Sequence, residues 1–196
     1  MYKHNYTLWE KGIPTHICDQ IIKYGELQKL EGAKVGSNQH APPRKEIRDS
    51  LIKFIKPQWI LDWIIEPMLQ ANQSIYNFNL SNLEEIQFTK YGPNQFYSWH
   101  IDLNENANEV RNNDCRKLSM VVFLTDPKTY EGGELELRDV DAVPTATNKK
   151  SIITNSKFKD QGTMIIFPSY VWHRVKPVTK GTRYSLVGWW RGPLFG

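Results

Sequence analysis

Three residues with metal-binding lone pairs, His100, Asp102 and His173, and one cation, Arg183, stand apart in this chain by type and spacing. Side chains alternate faces along an extended strand with a period of two, so His100 and Asp102 of His100-Ile101-Asp102 are expected to project together. A second imidazole from His173 completes a cap of two histidines and one carboxylate. That donor set leaves three coordination positions open and is the one used by non-haem Fe(II) oxygenases. Arg183, in the run Gly181-Thr182-Arg183-Tyr184-Ser185, adds what a metal alone would not need. Its planar guanidinium binds carboxylates in bidentate fashion. The four residues together predict iron with a 2-oxo dicarboxylate: the keto-acid end chelates the metal, the far carboxylate meets Arg183, and Ser185 adds a hydroxyl donor. A lone His-x-Asp, a lone histidine or a lone C-terminal arginine is ordinarily structural, so the prediction rests on the joint set.

A hairpin would bring these groups together. Residues 171–176 and 183–188 are expected to pair across a 177–181 connection with its turn near Thr179. In that register His173 faces Ser185. Arg183 faces Val175, roughly 5–7 Å from the metal ligand by cross-strand spacing.

The elements that must hold the site divide into a helical first part and a strand-rich remainder. Thr15 is placed as the cap of a helix running to about residue 31, with Ile17, Ile21, Ile22 and Tyr24 as its apolar stripe and Gly32 as its stop. Residues 47–55 read as a strand and 58–76 as a helix that Pro67 kinks or divides. Short β-like runs follow at 85–91, 96–103, 118–124, 134–138, 163–167, 172–176 and 183–190, which predicts a closed or sandwiched β domain. Two stretches break this rhythm. Residues 104–114, Asn-rich and directly after the His-x-Asp strand, are placed as a loop over the metal, and 142–160 as a polar surface insertion.

Composition fits an enzyme without naming one. The chain has 196 residues, enough for one domain with a proper core, and its seven Trp and nine Tyr bring large apolar areas to bury. The net charge of +4 comes from nearly balanced acids and bases, so a nucleic-acid partner is not expected. Cys18 and Cys115, far apart, support neither a disulfide framework nor a zinc knuckle. The first residues lack a signal-peptide core and no apolar run would span a bilayer, so a cytoplasmic location is expected, in a host cell if the chain is phage-encoded.

Several runs resemble a known family in order: Tyr91-Gly92-Pro93-Asn94-Gln95-Phe96-Tyr97-Ser98-Trp99-His100-Ile101-Asp102, Arg116-Lys117-Leu118-Ser119, Glu131-Gly132-Gly133-Glu134-Leu135, Phe167-Pro168-Ser169, His173-Arg174-Val175 and Gly181-Thr182-Arg183-Tyr184-Ser185. They look like the Fe(II)/2-oxoglutarate dioxygenases of the prolyl 4-hydroxylase type, and most like the small PKHD-type hydroxylases of bacteria and phages. The resemblance covers about residue 83 to the C-terminus. It implies a mainly β fold with N-terminal helices, a double-stranded β-helix or jelly-roll whose helices pack on the major sheet. As a domain plan it implies one catalytic domain over 1–196, with 1–82 as helical support and 83–196 as the jelly-roll core. By the same resemblance His100, Asp102 and His173 ligate iron, while Arg183 and Tyr91 take the far carboxylate of 2-oxoglutarate. Tyr97, Arg116 and Trp189 line the pocket for a prolyl residue of a peptide or protein. Some relatives place a second tyrosine where this chain has Phe123. The implied cofactors are Fe(II), 2-oxoglutarate and dioxygen, with ascorbate as accessory reductant, and the implied products are succinate, carbon dioxide and a hydroxylated substrate. A free amino acid or other small molecule is the alternative substrate, and a ligand-binding jelly-roll without catalysis the alternative class. The paired-arginine signature of AlkB-type demethylases is missing, because Arg191 lies too far from Arg183.

Overall fold

The computed structural model describes residues 6–34, 44–103, 113–139 and 152–194, so most of the loop expected at 104–114 and much of the insertion expected at 142–160 lie outside the described residues. Fourteen strand segments and three α-helices are described. Seven strands form the larger sheet in the order β1 (Thr7–Trp9), β11 (Met164–Pro168), β7 (Cys115–Phe123), β14 (Arg183–Gly192), β5 (Ile86–Tyr91), β4 (Leu51–Ile55), β2 (Glu31–Gly32). Five form the smaller: β10 (Ile152–Ile153), β9 (Leu135–Arg138), β12 (His173–Val175), β6 (Phe96–His100), β3 (Arg48–Asp49). A two-stranded pair, β8 (Glu131–Gly132) with β13 (Val178–Lys180), closes one end. Every pairing is antiparallel, giving the expected jelly-roll.

The period of two along the central strands builds two cores. Leu118, Met120 and Val122 of β7, Ile86 and Phe88 of β5 and Leu186 of β14 join Ile21, Ile60, Ile64 and Met68 in a layer between the larger sheet and the helices. Val121 and Phe123 of β7 and Tyr91 of β5 point the other way, into a second core with Leu135, Leu137, Phe167 and Val175 between the sheets. Both faces of β7 and β14 are therefore covered, which is why they read as near-continuous apolar runs. Arg183 and Ser185 are buried on the inward face of β14, an inner position that apolar residues otherwise fill.

The helices depart from expectation at their ends. Helix α1 (Thr15–Glu26) stops five residues early and starts after Pro14, with no side-chain cap from Thr15. Glu31 and Gly32 instead pair with Ile52 and Leu51, so tertiary strand pairing claims the residues that helical periodicity had assigned. The second helix is divided into α2 (Gln58–Leu61) and α3 (Ile65–Ala71), followed by a π-helical turn at Asn72–Tyr76. Pro67 falls in the first turn of α3, where its missing N–H goes unbonded in any case, and its ring excludes a helix running through from α2. The strand expected at 47–55 changes sheets at Ser50: β3 pairs with β6 and β4 with β5. The N-terminal part thus supplies β1 to β4 to the sheets as well as the helices, a larger role than helical support.

The expected hairpin is absent. His173 and Arg183 lie on opposite sheets, β12 paired with β6 and β9, and β14 with β5 and β7. The residues between them are occupied by β13, which pairs with β8, so Val178–Lys180 is strand where a turn was expected. Gly181, at φ +73 beside the Thr129 carbonyl, makes the turn instead and crosses to the other sheet.

Candidate metal centre

The register of the smaller sheet sets His100 of β6 directly across from His173 of β12. Their ring centroids are 4.0 Å apart. Nδ1 of His100 lies 2.8 Å from the Ser98 carbonyl oxygen and Nδ1 of His173 lies 3.0 Å from that of Val171. A carbonyl oxygen only accepts, so both Nδ1 atoms carry a proton and each ring turns its Nε2 toward Asp102. This is how histidine ligands are commonly oriented for a metal.

Asp102 lies two residues beyond the end of β6 rather than within it. The backbone N–H groups of Asp102 and Leu103 both donate to the Ser169 carbonyl at 2.9 Å, which turns the chain and swings the carboxylate between the imidazoles. Its Oδ1 is 3.7 Å from Nε2 of His100 and its Oδ2 is 3.6 Å from Nε2 of His173. These separations are too long for hydrogen bonds and suit groups that share a cation. One ligand atom from each residue lies within 4.8 Å of the others, so the three can hold a metal ion. Burial pushes the His100 pKa well below its usual value, and the nearby His173 adds to that. Burial works against ionising Asp102, but the two imidazoles and Arg116 outweigh it and hold the carboxyl below the usual range. Asp102 is thus ionised and His100 neutral at neutral pH, the protonation states a divalent cation requires.

The Ser119 hydroxyl donates to Oδ2 of Asp102 at 2.8 Å and lies 2.8 Å from the Ser169 hydroxyl. The indole N–H of Trp189 approaches the same carboxylate, short of a hydrogen bond. Sequence reasoning missed Ser119 and Ser169, and the available signal was that Ser119 shares the inward phase of Val121 and Phe123 on β7. Orienting groups behind ligands are worth about 10–100-fold in metal affinity. Ser119→Ala should therefore weaken Fe(II) binding by about tenfold in an anaerobic titration; unchanged affinity would mean that Asp102 is oriented without it.

Arg183 faces this cluster from the larger sheet. It is 1% exposed. Its Nη1 donates to Ser185 Oγ at 3.1 Å, and its guanidinium carbon lies 5.4 Å from the ring centroids of both Tyr91 and Phe123. Nε and Nη2 have no hydrogen-bond partner. A buried guanidinium with two unsatisfied donors is costly unless an anion completes it. Gly133, at φ +63, leaves the room: a Cβ there would stand 2.9 Å from Cδ of Arg183. Tyr130, which sequence reasoning also missed, brings a hydroxyl beside Arg183, and burial raises its pKa so that it stays protonated.

All nine residues singled out in the sequence line one cavity of about 800 Å³: the three ligand candidates, Arg183, Tyr91, Ser185, Tyr97, Arg116 and Trp189. Tyr97 stacks on His100 with centroids 3.5 Å apart. Arg116 lies 3.8 Å over the Trp189 ring and is held by Glu84 through two bonds of 2.9 and 2.6 Å. Glu84 also accepts from Arg191 at 2.8 Å, and Arg191 reaches Asp114 at 2.7 Å. Glu84 thus gathers Arg116, which lines the cavity, and Arg191. Burial alone would raise its pKa, but the hydrogen bonds and charges of Arg116 and Arg191 hold it below 4.5. Its stabilising effect is then complete above pH 4.5 and lost as pH falls through the lower folded value. Glu84→Gln should cost about 2 kcal/mol at neutral pH. In thermal melts the deficit should shrink at pH values well below 4.5, and a pH-independent deficit would contradict this account.

Residues 86–191 match the family described as the 2OG-Fe(II) oxygenase superfamily. A PKHD-type hydroxylase of Picosynechococcus sp. is 34% identical over 128 residues, 63% of this chain and 51% of that protein. Another, from Prochlorococcus marinus strain AS9601, is 30% identical over 182 residues, 90% of this chain and 70% of that protein. The chain spans about half the length of the first of these relatives. Among solved structures, a Pseudomonas putida prolyl-4-hydroxylase superposes with TM-score 0.74 at 23% identity, covering 97% of this chain and 94% of that one. A Trichoplax adhaerens prolyl hydroxylase in complex with a hypoxia inducible factor oxygen degradation domain peptide fragment gives TM-score 0.72 at 16% identity, covering 96% and 84%.

Proposed function

The chain belongs to the 2OG-Fe(II) oxygenase superfamily, and we propose that residues 1–196 form one oxygenase domain that hydroxylates a prolyl residue in a peptide or protein. In this reading His100, Asp102 and His173 hold the iron, and Arg183 takes the far carboxylate of 2-oxoglutarate with Ser185 and the Tyr91 ring around it. The observation that carries the co-substrate assignment is the pair of unpartnered donors on buried Arg183, aimed into the cavity that holds the three ligand candidates. Iron(II), when bound, supplies the redox chemistry by which 2-oxoglutarate and dioxygen yield succinate, carbon dioxide and a substrate hydroxyl. The protein orients and excludes water. Ser98, Val171 and Ser119 fix the three ligands. The inward faces of β7 and β14 shut solvent away from Arg183.

Tyr97, whose ring lies between His100 and Arg48, offers an aromatic edge to a pyrrolidine ring at the metal side of the cavity, Trp189 offers the ring face that Arg116 leaves, and Arg116, fixed by Glu84 through Nε and Nη2, keeps Nη1 as a donor. Support also comes from the prolyl hydroxylases among the structural neighbours, one of them solved with a peptide. No helix among the described residues is long and apolar enough to cross a membrane. The test is succinate formation by Fe(II)-loaded protein in air, with and without proline-containing peptides, reading the peptide mass for one added oxygen. Peptide-stimulated turnover with a hydroxyproline product is expected. Turnover without peptide oxidation would keep the iron and 2-oxoglutarate assignments and discard the prolyl one.

A further inference from the structure

Three arginines line the cavity, and two are accounted for: Arg183 by the co-substrate in the reading above, Arg116 by Glu84. The third, Arg48, is not. It is 8% exposed, sits in β3 directly across from Tyr97 of β6, and places its guanidinium carbon 4.5 Å over the Tyr97 ring. Tyr97 in turn stacks on His100, so Arg48 is one aromatic ring away from a metal ligand. Its Nε donates to Ser50 Oγ at 3.1 Å, a neutral acceptor. Among the described residues no carboxylate lies within ion-pair distance of it. Neighbouring Asp49 is engaged by Gln95, and Glu46 by Arg44.

We propose that Arg48 anchors a carboxylate of the substrate, beside the residue to be hydroxylated. A cation this buried needs a counter-charge, and with no carboxylate of the described residues within ion-pair distance, a bound ligand would bring it. Stacking on Tyr97 uses the face of the guanidinium and leaves its forked edge, the geometry that accepts a carboxylate in bidentate fashion. One guanidinium balances one carboxylate, whereas a phosphate would bring about 1.5–2 charges and leave an excess next to Asp102. The carboxylate has two sources, an acidic side chain adjacent to the proline or the free carboxylate of a C-terminal or free proline. The proposal rests on the prolyl reading only for the identity of that neighbouring residue.

The experiment titrates four probes into protein loaded with Mn(II) and 2-oxoglutarate under anaerobic conditions, by calorimetry, and then assays each for oxygen insertion with Fe(II) in air. Acetyl-Gly-Pro-Asp-amide is compared with its Asn counterpart, and acetyl-Gly-Pro with a free C-terminus is compared with its amide. One acid of a pair should bind tenfold or more tighter than its amide, and which pair responds identifies the source. Arg48→Gln should erase the discrimination, while Arg48→Lys, which keeps the charge, should retain part of it; 2-oxoglutarate binding by both variants reports that the fold is intact. Equal binding of acid and amide, discrimination that survives in Arg48→Gln, or no binding of any acid would overturn the assignment. Hydroxylation with equal use of acid and amide would remove the Arg48 anchor and leave the prolyl reading standing. Arg48-dependent discrimination without any hydroxylation would do the reverse.

Discussion

Asp102→Ala is expected to abolish 2-oxoglutarate turnover, with a loss well beyond the roughly 100-fold that marks removal of an orienting group behind a ligand. Asp102 is the one anion among the three ligand candidates, set between two imidazoles at 3.6 and 3.7 Å. Without it a divalent cation would face neutral donors only, and Ser119 would lose its acceptor. The same change should leave the metal-free fold intact, because it deletes a buried carboxylate and not an apolar contact of either core. Anaerobic Fe(II) titration, succinate formation and a thermal melt of the metal-free protein separate these outcomes. Retained turnover with a normal melt would remove Asp102 from the site, and with it the role assigned to Ser119.

Arg183→Met should move two measurements in opposite directions. The apparent affinity for 2-oxoglutarate should fall by at least about 30-fold, since truncating one partner of a buried charged pair costs about 2–5 kcal/mol and each 1.4 is tenfold. The melting temperature of the metal-free, co-substrate-free protein should hold or rise. Nε and Nη2 of Arg183 are buried without partners, each an expense of about 1–3 kcal/mol that a methionine of similar length does not carry. 2-Oxoglutarate should then no longer raise the melting temperature of the Fe(II) or Mn(II) form, as it does whenever a ligand binds only the folded state. A lower melting temperature with unchanged 2-oxoglutarate affinity would make Arg183 a structural residue and undo the co-substrate assignment.

How Arg183 comes to face the metal site was not legible in the local text. Two strand-like runs five residues or so apart read most simply as a hairpin, and that reading put Arg183 beside Val175. The chain instead inserts β13 and crosses to the other sheet at Gly181, so Arg183 approaches from the opposite wall. The requirement for a guanidinium within reach of the ligands was right, and the route to it was not. The early end of α1 and the sheet change at Ser50 have the same origin: edge pairings with distant strands override the preferences of short segments.

What the sequence determined by itself was chemistry and periodicity. Two histidines, a carboxylate and an arginine set the donor types, and the short β-like runs at 85–91, 118–124 and 183–190, each with a side-chain period of two, set a β sandwich with Arg183 and Ser185 on one face. Side-chain chemistry and a period of two are local properties, so they can be read without knowing the partners. Tertiary structure alone decided the contacts between distant segments: His100 across from His173, Asp102 turned inward by the Ser169 carbonyl and gripped by Ser119, Arg116 fixed by Glu84, and Arg48 laid on Tyr97. Those pairings depend on sheet register and on closure of one sheet over another. Such terms join residues up to about 70 positions apart, and no local window of the chain contains both partners.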